Sequence, residues 1–321
     1  SRAFFKFIEM ANIFDIFASY NRSIRSFHLA EGPGGFIEAI QLMRLNNDDT
    51  YYGMTLIDRD NTNVPGWKKS ENFLDKYPNV IIESGADGTG NLYNPENFNY
   101  CIENYGNSMD IVTGDGGFDF SIDFNKQEEL AFRLILSQVA YAIGLQRYGG
   151  TFILKVFDTF MKPSIDILYI LAAFYKNVHI IKPQTSRYAN SEKYIVCMGF
   201  KYHNTSIIAQ KLHSIISVLN NMNLKNVSIS TILDIPINQR FISQLVNINA
   251  ILGQQQMENI LTTLRFIENK ERKGEKLKQL TTKNIQKCIT WCTKNEIPHH
   301  KTSNSGNIFL GTSSGNRYYK K

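Results

Sequence analysis

The chain has 321 residues, of which 43% are apolar and 20% are charged, and its net charge is +6 at pH 7. This length is sufficient for a full hydrophobic core, and the absence of a run of about 18 apolar residues disfavours a membrane-spanning helix. The basic charge is compatible with a polyanionic partner, but an ordinary solvated basic surface explains it as well.

The first two hundred residues alternate between strand and helix patterns. An amphipathic helix is predicted over residues 2–20. Strand patterns then occupy residues 23–30, 50–57, 79–84, 110–114, 150–157, 177–183 and 192–200, and helical patterns occupy 34–45, 127–147 and 164–175. This alternation favours an α/β fold with a mostly parallel sheet of about seven strands. No helix separates the last two strands, which predicts an antiparallel hairpin at one edge.

The alternation stops after about residue 205. Helical patterns follow at residues 206–221, 238–268 and 275–295, and a glycine break at Gly274 lies within the densely charged segment 265–279. We therefore predict three parts: a sheet domain over residues 1–205, a helical subdomain over 206–296, and an irregular polar tail over 297–321.

The segment FHLAEGPGGFIEAI (27–40) has the pattern of a strand, a tight turn and a helix. Glycines let the backbone turn sharply and approach a ligand, and open α/β sheets bind ligands beyond the carboxyl ends of their strands. A plain strand-to-helix turn fits equally well, and the absence of G-x-G-x-x-G disfavours a nicotinamide dinucleotide. A nucleoside with a charged tail suits this turn, and the residues expected around it are Glu31, Gly32, Pro33, Gly34, Gly35 and Phe36.

Two further loops follow strands at the same edge. Asp58 is a candidate partner for ribose hydroxyls, and Asp87, followed by Gly88, is a candidate acceptor for an adenine amino group. The Asp-, Gly- and Asn-rich composition of residues 84–97 is equally typical of a turn.

Four charged residues lie far apart in the chain but at positions that can converge. Asp115 follows an apolar strand and precedes two glycines, although a helix-capping role is the alternative. Lys155 interrupts the apolar run TFILKVF and needs either a partner or a route for its ammonium to solvent. Lys6 and Glu192 are unremarkable alone. Two lysines and two carboxylates in one pocket would be costly for stability alone and indicate an active site.

Six segments resemble the FtsJ-type ribose 2′-O-methyltransferase family, especially its cap-specific branch. They are, in family order, SRAFFKFIEM, FHLAEGPGGFIEAI, GADGTGNLYNPEN, DIVTGDGGFD, GGTFILKVFD and SRYANSEKYIVC, and they cover about residues 1–201. The resemblance implies a Rossmann-like sheet that binds S-adenosyl-L-methionine. It also implies a Lys-Asp-Lys-Glu tetrad, which falls on Lys6, Asp115, Lys155 and Glu192.

The expected activity is methylation of an RNA ribose 2′-hydroxyl near the 5′ cap of mRNA, in a viral setting. The methyl donor would lie over residues 32–35, with its adenine near Asp87 and its sulfonium near Asp115. Arg187 and Tyr188 are candidate RNA contacts, to phosphate and to a base respectively. Lys68, Lys69, residues 265–278 and the tail RYYKK are further candidates, but solvated surface is the simpler explanation for these charges.

Other interpretations stay open at this stage. An inactive methyltransferase fold that serves as an RNA-binding or scaffold protein would keep the same motifs. A nucleotide-dependent oxidoreductase explains the glycine turn but gives the four charged residues no joint role. Capping-machinery proteins are expected partners, and the expected location is the cytoplasm, a viral factory in it, or the virion.

The cysteines point to free thiols rather than to a disulfide framework. Cys101, Cys197, Cys288 and Cys292 are few and irregularly spaced. The last two precede His299 and His300, but their helical context and overall spacing do not match a zinc site. No metal is therefore predicted.

Overall fold

A computed structural model describes residues 1–58, 64, 66–68, 70–117, 126–221, 229–268 and 274–299. Several sequence-based predictions lie outside these residues: Lys69, the last two residues of DIVTGDGGFD, the centre of the charged stretch 265–278, His300 and the RYYKK tail.

The described residues form one seven-stranded sheet with the order β3-β2-β1-β4-β5-β7-β6. The strands are β1 (Arg25–Leu29), β2 (Thr50–Met54), β3 (Val80–Ile82), β4 (Met109–Gly114), β5 (Gln146–Val156), β6 (Tyr175–Ile181) and β7 (Lys193–Phe200). Strand β7 is antiparallel to both β5 and β6, and the other pairs are parallel. The predicted α/β class, the mostly parallel sheet and the antiparallel hairpin at one edge are confirmed.

The helices within those residues are α1 (Arg2–Ile13), α2 (Gly35–Arg44), α3 (Glu71–Lys76), α4 (Pro95–Tyr105), α5 (Gln127–Leu145), α6 (Lys162–Phe174), α7 (Ser206–Asn221), α8 (Gln239–Glu268) and α9 (Gly274–Lys294). The first helix is shorter than the predicted 2–20, because the backbone turns left-handed at Asp15, with a φ of 47°. Helices α3 and α4 were not predicted. The sequence did contain a start signal for α4. The Asn94 side chain caps the helix by accepting a hydrogen bond from the Glu96 amide, and Pro95 lies in the first turn.

The main core lies between one face of the sheet and helices α4 to α7. It includes Phe27, Phe152 and Ile195 from the strands and Leu136 and Tyr141 from α5, all fully buried. Helix α7 packs against α5 and contributes Ala209 and Ile216 to the same core. The boundary expected at residue 205 stays a prediction, although α7 beyond it shares this core.

Two compact units divide between Ile260 and Leu261, within α8. The described part of the second unit consists of the end of α8, α9 and the residues up to 299. In the described residues, no helix is both long enough and apolar enough to cross a membrane.

The segment that leads into α8 is held by a buried carboxylate on α6. Asp166 is fully buried, and its Oδ2 accepts hydrogen bonds from the Thr231 hydroxyl at 2.7 Å and from the amides of Ile232 and Leu233 at 2.8 and 3.2 Å. Lys162 pairs with the other oxygen. Burial alone raises the pKa of Asp166, but Lys162 and these donors bring the pKa below its usual value. Charged Asp166 therefore stabilises the approach to α8.

We expect Asp166→Ala to lower the free energy of unfolding by about 3 kcal/mol, because two backbone amides lose a charged acceptor. Urea denaturation at pH 7 measures the change. Asp234→Ala, which removes an exposed carboxylate on the same approach, is the control. Equal stabilities of the two variants would contradict the anchoring role.

Candidate active site

The direction of the strands brings four segments to one edge of the sheet. Strands β1, β4 and β5 run parallel and end at Leu29, Gly114 and Val156. Because β7 runs in the opposite direction, it begins at this edge, and Lys193 pairs with Val156. The chain also changes direction along the sheet between β1 and β4, which is where open α/β sheets bind ligands.

The four charged residues predicted to converge do so, as two ion pairs. Lys155 Nζ lies 3.3 Å from Asp115 Oδ1, and Lys6 Nζ lies 2.7 Å from Glu192 Oε1. Each of these side chains is only 11–14% exposed. Lys155 also donates to the backbone carbonyl of Asp115 at 2.7 Å. The pairing compensates the cost of removing each charge from water.

Tyr194 connects the two ion pairs and was not among the predicted site residues. Its hydroxyl donates to Asp115 Oδ1 at 2.7 Å and accepts from Lys6 Nζ at 3.3 Å. The available signal was spacing, since Tyr194 lies two residues after Glu192 in the strand predicted over 192–200, and alternate residues of a strand point to the same side of the sheet. Register also pairs it directly with Lys155.

The electrostatics of the pair members differ. Burial alone raises the pKa of Glu192, but the charge and hydrogen bond of Lys6, with a 2.6 Å hydrogen bond from Ser186, bring the pKa below its ordinary value. Burial, and then the nearby Asp115 charge, raises the pKa of Tyr194 well above its ordinary value. Glu192 is therefore a carboxylate and Tyr194 a neutral hydroxyl at neutral pH.

The glycine turn places α1, and with it Lys6, beside the site. Gly34 caps α2 in a left-handed conformation with a φ of 89°, which favours glycine. A β-carbon at Gly35 would lie 2.9 Å from the β-carbons of both Ser1 and Ala3. The start of α1 can therefore lie against the start of α2 only because residue 35 has no side chain.

Glu31 lies beneath the site in a buried polar chain. It accepts from the Phe36 amide and, at 3.5 Å, from the Thr113 hydroxyl. The two ring nitrogens of His28 lie 2.8 Å from the hydroxyls of Thr113 and Ser26. Burial, followed by the Asp115 charge, raises the pKa of Glu31 well above its usual value, while burial lowers the pKa of His28 to about 3. Glu31 therefore stabilises the glycine turn through its hydrogen bond with the Phe36 amide.

A cavity of about 1330 Å³ opens beside the ion pairs. Its lining falls into three parts. The first part comes from the loops that follow β1, β2 and β3: Ala30, Gly32, Thr55, Leu56, Val64 and residues 90–93. The second part, called the middle, contains Asp115, Gly117, Lys155 and Glu192. The third, called the far part, comes from the loops after β5 and β6 and from α8: Asp158, Arg187, Gln256 and Ile260. A β-carbon at Gly117 would lie 3.1 Å from Lys155 Nζ, so glycine there leaves room beside the amine.

The other predicted donor-binding residues lie outside the lining. Glu31, Pro33, Gly34, Gly35 and Phe36 form the turn itself, and Asp58, Asp87 and Gly88 lie in loops after β2 and β3. Asp87 organises its own loop: its carboxylate accepts from Thr89 N at 2.8 Å and from Asn94 Nδ2 at 2.7 Å. Burial alone raises its pKa, but these hydrogen bonds lower the pKa of Asp87 to about 2. Contact of these residues with a methyl donor stays a prediction.

The loop between β6 and β7 presents the two predicted RNA contacts. Arg187 is exposed and lines the cavity, whereas Tyr188 is 39% exposed and lies outside the lining. Lys68, a weaker candidate, is also exposed.

Lys182 fastens this loop from within. Its ammonium donates to Asn190 O at 2.7 Å, to Asn190 Oδ1 at 3.0 Å and to Glu192 O at 2.7 Å. An ammonium has three N–H donors, so all three are used. Glu9 on α1 holds the start of the loop by accepting from the Gln184 amide at 2.7 Å. Lys182 was not among the predicted site residues, and its position relative to Glu192 comes from the hairpin.

No cluster of three or more His, Cys, Asp or Glu side chains suited to a metal ion occurs in the described part of the chain. The four cysteines are free thiols, with Cys101 and Cys197 buried and Cys288 exposed.

Comparison with known proteins identifies a matching family and related proteins. The family of FtsJ-like methyltransferases matches residues 1–200. Cap-specific mRNA (nucleoside-2′-O-)-methyltransferase 1 of Mus musculus is 35% identical over 175 residues, which are 53% of this chain and 20% of the mouse protein. The Trypanosoma cruzi protein of the same name is 37% identical over 182 residues, 53% of this chain and 46% of that protein. The chain therefore spans about a fifth of the length of the mouse protein and less than half of the length of the trypanosome protein.

A solved structure of a Plasmodium falciparum protein described as a ribosomal RNA methyltransferase is 20% identical, with a TM-score of 0.44. It covers 62% of this chain and 97% of that chain. The resemblance inferred from the six segments is confirmed by the family match, which ends where the resemblance does.

We expect Lys182→Met to loosen the loop at pH 7. Burial, outweighing the Glu192 charge, lowers the pKa of Lys182 to about 8. Below that pH the ammonium satisfies three oxygens, and above it a neutral amine has only two N–H donors. Hydrogen–deuterium exchange of residues 183–191, corrected for the intrinsic rate at each pH, should be several-fold faster in the variant at pH 7. The wild type should approach the variant above pH 8.

Lys201→Met is the control, because Lys201 also donates to two backbone carbonyls, of Ala172 and Ala173, but is exposed and lies elsewhere. Loop exchange that is the same in the wild type and in Lys182→Met at pH 7 would refute the fastening role.

Proposed function

Because the chain belongs to the FtsJ-like methyltransferase family, we propose that it methylates the ribose 2′-hydroxyl of RNA near the 5′ cap of mRNA, with S-adenosyl-L-methionine as methyl donor. The observation that carries the proposal is the pair of ion pairs joined by Tyr194 at the side of a cavity. The mouse and trypanosome relatives, both named as cap-specific mRNA 2′-O-methyltransferases, support the substrate.

The residues around the cavity fit this donor. Leu56, Val64 and Leu92 supply apolar walls for a nucleoside, and Asp115 supplies a negative charge at the junction with the ion pairs. A carboxylate attracts a cationic sulfonium. When bound, S-adenosyl-L-methionine supplies an electrophilic methyl group. Metal ions have no role in this proposal.

Lys155 is the residue proposed to act on the ribose oxygen. Its Nζ lies beside the space left by Gly117 and is oriented by two oxygens of Asp115. In its neutral form the amine accepts the hydroxyl proton, and as an ammonium it stabilises negative charge on the oxygen. A positioned acid–base group of this kind contributes about 10²–10⁴-fold to a rate.

Lys6, Glu192 and Tyr194 are proposed to position Lys155 and the ribose. Tyr194 shares Asp115 Oδ1 with Lys155, so it holds the carboxylate that orients the amine. Lys6 binds both Tyr194 and Glu192, which joins α1 to the start of β7. Correct placement of reacting groups is worth up to about 7–11 kcal/mol of a barrier, so displacement of any member is expected to slow the reaction.

The RNA is proposed to enter over the loop between β6 and β7. Arg187 at the cavity rim suits a phosphate, and the exposed ring of Tyr188 suits stacking on a base. Capping-machinery partners, a viral origin and a cytoplasmic or virion location stay predictions.

The donor can be tested by calorimetric titration with S-adenosyl-L-methionine and, separately, S-adenosylhomocysteine. Dissociation constants in the micromolar range are expected, since typical KM values of enzymes lie between about 1 μM and 1 mM. A folded protein that binds neither compound would instead support the inactive RNA-binding or scaffold interpretation.

The role of Lys155 can be tested on capped RNA with a radiolabelled methyl donor. We expect Lys155→Ala to lower kcat by at least about 100-fold, with the affinity for S-adenosylhomocysteine and the melting temperature nearly unchanged. Lys155→Arg is the matched variant, because it keeps the positive charge but cannot release a proton. It should be nearly as inactive if proton uptake matters. Near-full activity of Lys155→Ala would refute the assignment, and the exposed Lys211→Ala is the control.

A further inference from the structure

The far wall of the cavity comes from a part of the chain that the family match does not cover. Gln256 and Ile260 on α8 line the same cavity as Asp115, Lys155 and Glu192, whereas the family match ends at residue 200. The C-terminal helical region therefore contributes directly to the candidate active site.

Helical spacing and two anchors orient this wall. Asn249, Gln256 and Ile260 are separated by seven and four residues and so share one face of α8. Asn249 exchanges two hydrogen bonds with Thr159, at 2.9 Å between the side chains and at 3.1 Å to the Thr159 carbonyl. One turn earlier on this face, Leu245 is buried in the main core. Thr159 lies in the loop after β5, the strand that carries Lys155, so the wall and the amine have a common support.

The cavity is larger than one small molecule requires. Sites for single small ligands measure about 300–1,000 Å³, and this cavity measures about 1330 Å³. The first part of its lining suits the methyl donor and the middle suits the reacting ribose. The far part, around Gln256, Ile260 and Asp158, thus has space for a further group.

Apart from Arg187, which suits a phosphate, the far part offers chemistry that matches a nucleobase. Ile260 is 38% exposed and offers an apolar surface for a flat ring. The Gln256 amide makes no hydrogen bond among the described residues, which leaves a donor and an acceptor for a base edge. Asp158, 31% exposed, pairs with Lys193 at 3.4 Å through its Oδ1, and its carboxylate adds an acceptor for base amino groups.

We propose that this face of α8 binds the base of a single-stranded RNA nucleotide at or next to the methylated ribose. The proposal rests on the proposed function for the identity of the substrate. It assigns Ile260 to the face of the base and Gln256 to its edge, and it gives the region beyond the family match a role in RNA selection.

The test compares the full-length wild type with the double variant Gln256→Ala/Ile260→Ala. Met257→Ala is the control, since Met257 is 62% exposed on the same helix but does not line the cavity. Fluorescence anisotropy, with saturating S-adenosylhomocysteine, measures binding of a short capped single-stranded RNA. We expect the double variant to bind about tenfold more weakly, through loss of an apolar contact and a hydrogen bond, and the control to bind as the wild type does.

A second RNA series removes the base from each of the first few nucleotides in turn. At one position, removal of the base should weaken RNA binding by the wild type but hardly weaken binding by the double variant. This non-additivity is expected when the removed base and the substituted side chains are in contact. In methyl-transfer assays the double variant should raise KM for RNA more than it lowers kcat.

The inference is overturned if the double variant binds intact RNA as tightly as the wild type. It is also overturned if the difference in affinity between the wild type and the double variant is the same with every abasic RNA as with intact RNA. Failure of the proposed function has a different signature: a wild type that binds RNA but transfers no methyl group. In that case the abasic series still decides whether α8 binds a base.

Discussion

The opposite direction of β7 is the constraint on which the rest of the site depends. Inserted between β5 and β6, this strand begins where β1, β4 and β5 end. Glu192 and Tyr194 therefore reach the edge at which Asp115 and Lys155 lie. A parallel β7 would place its first residues at the opposite edge of the sheet, about 20 Å or more away for a strand of this length.

The charges at this edge explain each other's burial. Each lysine has a carboxylate partner, and Tyr194 joins the pairs without adding a charge. Buried ion pairs of this kind contribute little net stability, because desolvation offsets their attraction. The arrangement is better understood as the positioning of Lys155 than as a source of folding free energy. It also explains why α1, which is held through Gly35, has to be in place for the site to exist.

The loops and helices around the sheet divide the remaining tasks. Lys182 and Glu9 hold the hairpin loop that carries Arg187. Asp166 holds the approach to α8, and Asn249 fastens that helix to the loop after β5. These contacts give the helical region a structural connection to β5, the strand that carries Lys155, and α8 also forms part of the cavity wall.

Local sequence determined the strands, most of the helices and the candidates Asp115 and Lys155, because periodicity, a carboxylate after an apolar strand and a lysine in an apolar run are short-range signals. Lys6 and Glu192 have no such signal and were identified through the resemblance of their segments to the family. Local sequence left out Tyr194, Lys182 and Gln256. The first two acquire their contacts from strand register and loop closure, and Gln256, which lies 101 residues after Lys155, acquires its place from helix packing. The sequence also left two roles open for Asp87, contact with an adenine or stabilisation of a turn. In the structure its carboxylate accepts hydrogen bonds from within its own loop. Which side chains meet was decided by tertiary structure, since pairing across strands and packing between distant helices have no local pattern in the sequence.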